Sequence, residues 1–228
     1  MRRLVATVRR DLTLLYRNGF FYAAAVVAAI LIFVLRMLPP DFAAWALPLF
    51  LLGNFATNGF YFAAGMMLLE KAERTLDVQF VTPLRSTEYV AAKLIALSLL
   101  TLVETGVIVV ASGHGRYLLL GLSTVALTAV LGQLGLLMVT RYRSINEFLM
   151  PSVLVTYVVM LPVVDLLDLW DSALLYLHPL YPPMVLLEAA FRPVSGLETA
   201  VALALSATWV AVGMAISQRV IRRFATTP

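Results

Sequence analysis

The sequence predicts an all-α membrane protein, and three observations carry that prediction. Hydrophobic residues fill 61% of the 228 positions and mean hydropathy is +0.91, more apolar surface than one soluble core of this length buries. Six stretches, roughly 20–38, 45–69, 90–112, 117–139, 148–168 and 197–218, meet the requirement of about 20 mostly apolar residues for a spanning helix. Positive charge is unevenly shared between the loops that join them: Arg36, Arg116 and Arg192 fall on one side, and every other lysine and arginine on the other. By the positive-inside rule both termini and the loop after the second stretch are cytoplasmic.

Taken in order, residues 1–18 precede the first span and show helical amphipathicity. Leu4, Val5, Val8, Leu12 and Leu15 share one face and the arginines occupy the other, the pattern of a helix lying in the membrane interface with its cations near anionic headgroups. An ordinary basic flank that sets topology fits this stretch equally well. Its arginines also look like the start of a signal peptide, but the first apolar run is long enough to span and no small-residue cleavage site closes it. The segment is therefore read as retained.

Between the second and third spans lies a polar interruption, Glu70 to Glu88, in a chain that is only 13% charged. Its charges predict that it lies in water. Leu69, Leu76 and Phe80 are spaced as one helical stripe with Glu70, Glu73, Arg74 and Asp77 around it, so a short amphipathic helix is expected, or else a solvated loop. Thr82-Pro83 marks a boundary, and Ser86 offers a cap for the next helix. The pattern reads helix, break, helix.

On the other side, residues 170–196 are neither a span nor a simple loop. The prolines of Tyr176-Leu177-His178-Pro179-Leu180-Tyr181-Pro182-Pro183 break any helix, and Met184–Phe191 is apolar but too short to cross. A re-entrant or interfacial helical hairpin before the sixth span fits. No internal repeat or linker divides the chain, so residues 1–228 are read as one domain.

Polar residues inside the spans are candidates for a substrate pathway. Glu104 is the clearest, since an ionisable group within an apolar span is costly and marks function by default; a glutamate that ties helices together by hydrogen bonds is the competing reading. Asn54 and Asn58 share a face at i, i+4, and Gln133 lies between Gly132 and Gly135. Such amides and glycines mark helix contacts more often than substrate sites.

Other chemistries are poorly served. The absence of cysteine removes thiolate nucleophiles and Cys-ligated metals. His114 and His178 lack ligand spacing, so no metal site is expected. Asp165, Asp168 and Asp171 read as a solvated acidic helix end. The net charge of +4 sits beside apolar spans rather than in a basic domain, which argues against nucleic acid. No catalytic residues are assigned.

Glu73-Arg74-Thr75-Leu76-Asp77, then Thr82-Pro83, then Glu88-Tyr89-Val90-Ala91-Ala92-Lys93-Leu94 resembles the coupling-helix signature of the ABC-2 type permeases, the membrane subunits of type V ABC exporters. In that family a Glu-Arg-Gly-Thr-Leu-Glu pattern precedes Thr-Pro and Glu-Tyr leading to Lys-Leu. This chain lacks the glycine after Arg74 and has Asp77 for the usual glutamate. His178-Pro179-Leu180-Tyr181-Pro182 resembles the family's Asn-Pro stretch before the last span, with His178 in place of asparagine. In size the chain is similar to small bacterial drug-export permeases, those for fluoroquinolones among them.

The resemblance implies export of a hydrophobic or amphipathic substrate, drug or lipid-like, across the bacterial plasma membrane. Two ATPase subunits and a second permease subunit, identical or homologous, are the implied partners within the lipid. The sequence contains no Gly-x-x-x-x-Gly-Lys-Ser/Thr loop, so ATP and Mg are expected on the ATPase, and no cofactor on this chain. Glu73, Arg74, Thr75, Leu76, Asp77, Phe80, Thr82 and Pro83 become the expected ATPase contact. A haem-exporter-like permease of cytochrome c maturation is an alternative within the same plan; an intramembrane lipid enzyme or a channel is the alternative outside it. If Leu76 and Phe80 anchor that contact, Phe80→Asp leaves membrane insertion intact but uncouples ATP hydrolysis from transport. Full transport by a normally assembled Phe80→Asp protein would refute the assignment.

Overall fold

A computed structural model describes residues 2–75, 85–113, 116–170 and 172–226; among them there is no β-strand, and helices account for nearly the whole chain. Helix α1 (Arg2–Arg17) ends at Gly19, which takes φ +82° and turns the chain into α2 (Phe20–Met37). That left-handed conformation is cheap only for glycine. Helix α2 turns small residues inward, Ala24 and Ala28 with Leu35, and leaves Tyr22, Val26, Ile30, Phe33 and Met37 exposed.

The expected second span is helical from Pro40 to Ala72 in three pieces: α3 (Pro40–Phe55), a π-helical turn (Ala56–Tyr61) and α4 (Phe62–Ala72). The junction residues keep right-handed helical dihedrals, so the chain passes through the π turn without a break. Helices α5 (Ser86–Ser112) and α6 (Tyr117–Val139) are the best-covered long helices. The α5 helix begins earlier than its apolar run because the Arg85 amide donates to the Glu88 carboxylate at 3.0 Å, a side-chain cap.

The expected fifth span is interrupted. Helix α7 (Ile145–Val159) gives way to a tight turn and then to α8 (Val163–Leu166). Pro162 has no N–H to continue the ladder, and Leu161, Val163 and Val164 donate to carbonyls three residues back instead. A 3-10 helix (Ala173–Leu177) leads to α9 (Tyr181–Phe191), whose side chains from Tyr181 to Leu187 are all buried, before α10 (Gly196–Thr226) closes the fold. Among the described residues four helices, α2, α5, α6 and α10, are long and apolar enough to cross a membrane.

Helix α6 sits at the centre, packed against α4, α5, α9, α10 and the π turn. Glycines permit the closest of these approaches. A Cβ at Gly59 would lie 2.8 Å from the Leu131 Cβ, and one at Gly135 would run into the backbone carbonyl of Phe60. Backbone cannot yield as a flexible side chain does, so Gly135→Val should lower the thermal midpoint of the detergent-solubilised protein by overpacking of about 1–3 kcal/mol or more. Gly121→Val serves as the control, because its nearest neighbour, Leu102 Cδ2, lies at an ordinary 3.9 Å.

Candidate functional site

The expectation that all of Glu70–Glu88 lies in water is corrected at its first residue. Glu70 is fully buried. Its carboxylate accepts from Lys93 Nζ at 2.8 Å and from the Tyr89 hydroxyl at 2.7 Å, and Asp11 of α1 lies 3.6 Å from the same ammonium. Lys93 also sits over the Tyr89 ring one turn away on α5, 4.7 Å from its centroid. The apolar environment that would have penalised a single charge is satisfied here by an ion pair with hydrogen bonds from both sides.

Two carboxylates on one ammonium in a dry site leave one negative charge too many. Glu70 holds the two short bonds, whereas Asp11 is farther from Lys93 and its Oδ2 has no hydrogen-bond partner among the described residues. Burial pushes the Asp11 carboxyl above the ordinary carboxylate range; Lys93 opposes that shift and the Glu70 charge adds to it. Asp11 is therefore the more weakly paired carboxyl of the two. The cluster joins α1, the end of α4 and the start of α5 at one point.

Lys71, the next residue, is held on the opposite side. Its ammonium donates to the carbonyls of Val139 at 2.8 Å and Tyr142 at 2.8 Å, where α6 ends, and lies 4.8 Å from the centre of the Phe224 ring on α10. A cation among C-terminal carbonyls complements the helix dipole. Consecutive residues thus fasten the end of α4 to two different neighbours. Beyond them Glu73 caps α4, and Arg74 adopts φ +54°. The left-handed position falls on arginine in this chain, which lacks the family's following glycine, and the Thr75 hydroxyl bonds back to the Glu70 carbonyl at 3.3 Å. Glu73 and Arg74 are exposed. The other expected coupling residues, Leu76, Asp77, Phe80, Thr82 and Pro83, lie outside the described residues.

Farther along α5, roughly 16 Å from Lys93 by helical rise, the structure brings together Glu104 and Asn58, and places Asn54 beside them. The Asn58 amide, carried on the π turn, donates to the Glu104 carboxylate. Asn54 faces the same carboxylate without closing a hydrogen bond. Around this depth Glu104 Oε1, Asn58 Oδ1, both ends of the Asn54 amide, and the hydroxyls of Thr105, Thr124 and Thr128 are buried with no partner among the described residues. Native interiors rarely leave so many polar atoms unmatched.

Gln133 is not part of that group. Its amide donates to the Val210 carbonyl of α10 at 3.0 Å, and its Oε1 fills the place a Cβ would take at Gly213. It joins two helices. At the far end, His178 Nδ1 accepts from the Leu180 amide at 3.3 Å, the role an asparagine oxygen plays in an Asx turn. This explains how histidine stands where the resembling family has asparagine, and burial, which holds the imidazole below its ordinary range, favours the neutral acceptor. Pro179 follows the turn, Tyr181 donates to Asp165 at 3.0 Å, and Pro182 is buried in the first turn of α9. No cluster of metal-ligating side chains occurs among the described residues.

Asp11 was missed by sequence reasoning, although a signal was present: one helical turn separates it from both Val8 and Leu15 on the apolar stripe of α1. An acid on an apolar stripe calls for a buried partner. Lys93→Met should strip the two carboxylates of their cation and cost about 3–5 kcal/mol, read as a lowered thermal midpoint. Asp11→Asn should be far milder. Because the folded protein binds the Asp11 proton more tightly than the unfolded chain, anchoring of α1 should weaken as pH rises from the ordinary carboxylate range through the raised value. Proteolysis of α1 followed as pH rises above the ordinary carboxylate range should show that trend in the native protein and lose it in Asp11→Asn.

The model of the fluoroquinolones export permease protein family matches residues 2–227. Fluoroquinolones export permease proteins of two Mycobacterium tuberculosis strains, CDC 1551 / Oshkosh and ATCC 25618 / H37Rv, are each 37% identical over 203 residues, covering 86% of this chain and 84% of theirs. The chain therefore belongs to the fluoroquinolones export permease family, a group of drug-export membrane permeases of the ABC-2 type.

Proposed function

We propose that the chain is the permease subunit of an ATP-driven exporter that moves a hydrophobic or amphipathic compound, drug or lipid-like, out of a bacterial cell. It works in the plasma membrane with six spans and cytoplasmic termini, the second span running through the π turn and the fifth ending near the Pro162 break. It pairs with a second permease subunit, identical or homologous, and with two ATPase subunits that carry ATP and Mg. The chain is a transporter subunit rather than an enzyme, and fluoroquinolones, named for its relatives, are the first substrates to test.

One observation carries the reading: Glu70 and Lys71 clamp the end of α4 to α5, α6 and α10, and Lys93 carries the link on to Asp11 of α1, immediately before the segment that resembles a coupling helix. Force applied by an ATPase at that segment has a rigid route into the bundle, as a two-state transmission requires. The unmatched polar atoms around Glu104 supply the substrate pathway, where a polar group of the cargo can replace the missing partners.

A tagged chain purified from its native membrane should bring down a phosphate-loop ATPase, and inside-out vesicles holding both should accumulate fluoroquinolone on addition of ATP. Glu104→Gln should keep the ATPase association while lowering accumulation about tenfold or more, as loss of one charged hydrogen-bonding group predicts. An ATPase that never associates, even after cross-linking in the membrane, would exclude the exporter.

A further inference from the structure

A groove of about 220 Å³ opens where α2 ends, α3 begins and α5 ends, and neither Glu104 nor Lys93 is among its lining residues. Leu35, Ala43, Leu47 and Ile108 give it apolar walls, and Arg36 is the one charged side chain among its lining residues. The Arg36 guanidinium is exposed and has no ion pair or hydrogen bond among the described residues, although Asp41 stands in the first turn of α3. The same three helices carry exposed apolar side chains next in sequence to lining residues: Phe33 and Met37, Phe42 and Trp45, Val107 and Val110.

We propose that this groove binds one anionic phospholipid, with its phosphate on Arg36 and one acyl chain against the wall between α2 and α5. Three observations select that occupant. The groove lies where an apolar spanning helix stops, the depth of lipid headgroups, and the Phe42 and Trp45 rings, 5.4 Å apart, are the side chains that settle there. A lone guanidinium above an apolar wall complements a phosphate above a hydrocarbon chain. The volume is below the roughly 300–1,000 Å³ that encloses a drug-sized ligand, while an open groove of this size holds part of a chain whose remainder stays in the bilayer. A lipid so placed would wedge the turn at Leu38-Pro39 and fix the angle between α2 and α3.

The test is native mass spectrometry of the full chain released from detergent containing equal phosphatidylglycerol and phosphatidylcholine. One phosphatidylglycerol should be retained in preference to phosphatidylcholine. Arg36→Gln should lower that preference about fivefold, the effect of one cation at an anionic surface, Arg36→Lys should keep most of it, and Ala44→Trp should reduce retention of both lipids by filling the groove. Arg116→Gln, which changes another exposed cation outside the groove, should have no effect. Equal retention of the two lipids by the native chain, an equal loss in Arg116→Gln, displacement of the lipid by inorganic phosphate alone, or displacement by a fluoroquinolone would each overturn the proposal.

Discussion

The structure depends on a buried ammonium. Lys93 stands between Glu70 and Asp11 in a site from which water is excluded, and it is the only reason that α1, which lies outside the spans, can rest on the bundle through an acid. Taken separately, each of these groups is a poor choice for an interior, because desolvating one charge costs several kcal/mol. Together with the Tyr89 hydroxyl they fix the register of three helices more tightly than interchangeable apolar contacts would. The ion pair specifies position, and the surrounding leucines and alanines supply the contact area.

That fixed point gains its meaning from Lys71. Glu70 is held by Tyr89 and Lys93 of α5, with Asp11 of α1 on the same ammonium, and Lys71 by the carbonyl end of α6 and by Phe224 of α10. A helix end gripped from opposite sides cannot tilt without moving its neighbours. In the proposed exporter this turns the segment after α4 into a lever on the bundle. The helices that receive that motion are also joined by glycine contacts at Gly59 and Gly135, where backbone meets backbone and little compliance remains.

Much of this was legible in the sequence wherever one residue was enough. Glu104 declared itself as an acid in an apolar run, and Asn54 and Asn58 as amides on one face, whereas the interruption at Pro162 was not foreseen in a stretch read as one span. Pairings were not legible, because Asn58 and Glu104, or Asp11 and Lys93, are brought together only by tertiary structure. The same limit made Glu70 look wet: its composition is that of a loop, and its burial follows from partners on α1 and α5. The π turn had no local signal either. Gln133, read beside glycines as more often a helix contact than a pathway residue, is bound to the backbone of α10.

Coverage separates the helices that can transmit motion from those that can yield to it. Helix α6 is buried along most of its length, whereas α7 buries just Phe148 and Ser152, and the spanning window of α10 is 11% buried. The contacts of α7 are concentrated at its start, where Phe148 packs against Phe60 and Tyr61, and at the hydrogen bond between Tyr61 and Thr156. Phe60 and Tyr61 belong to the π turn, the same turn that carries Asn58 to Glu104. A change in that turn would therefore reach the Glu104 cluster and the least constrained helix together. The polar site and the sparsely covered helix share the π turn, and that turn lies against the buried α6.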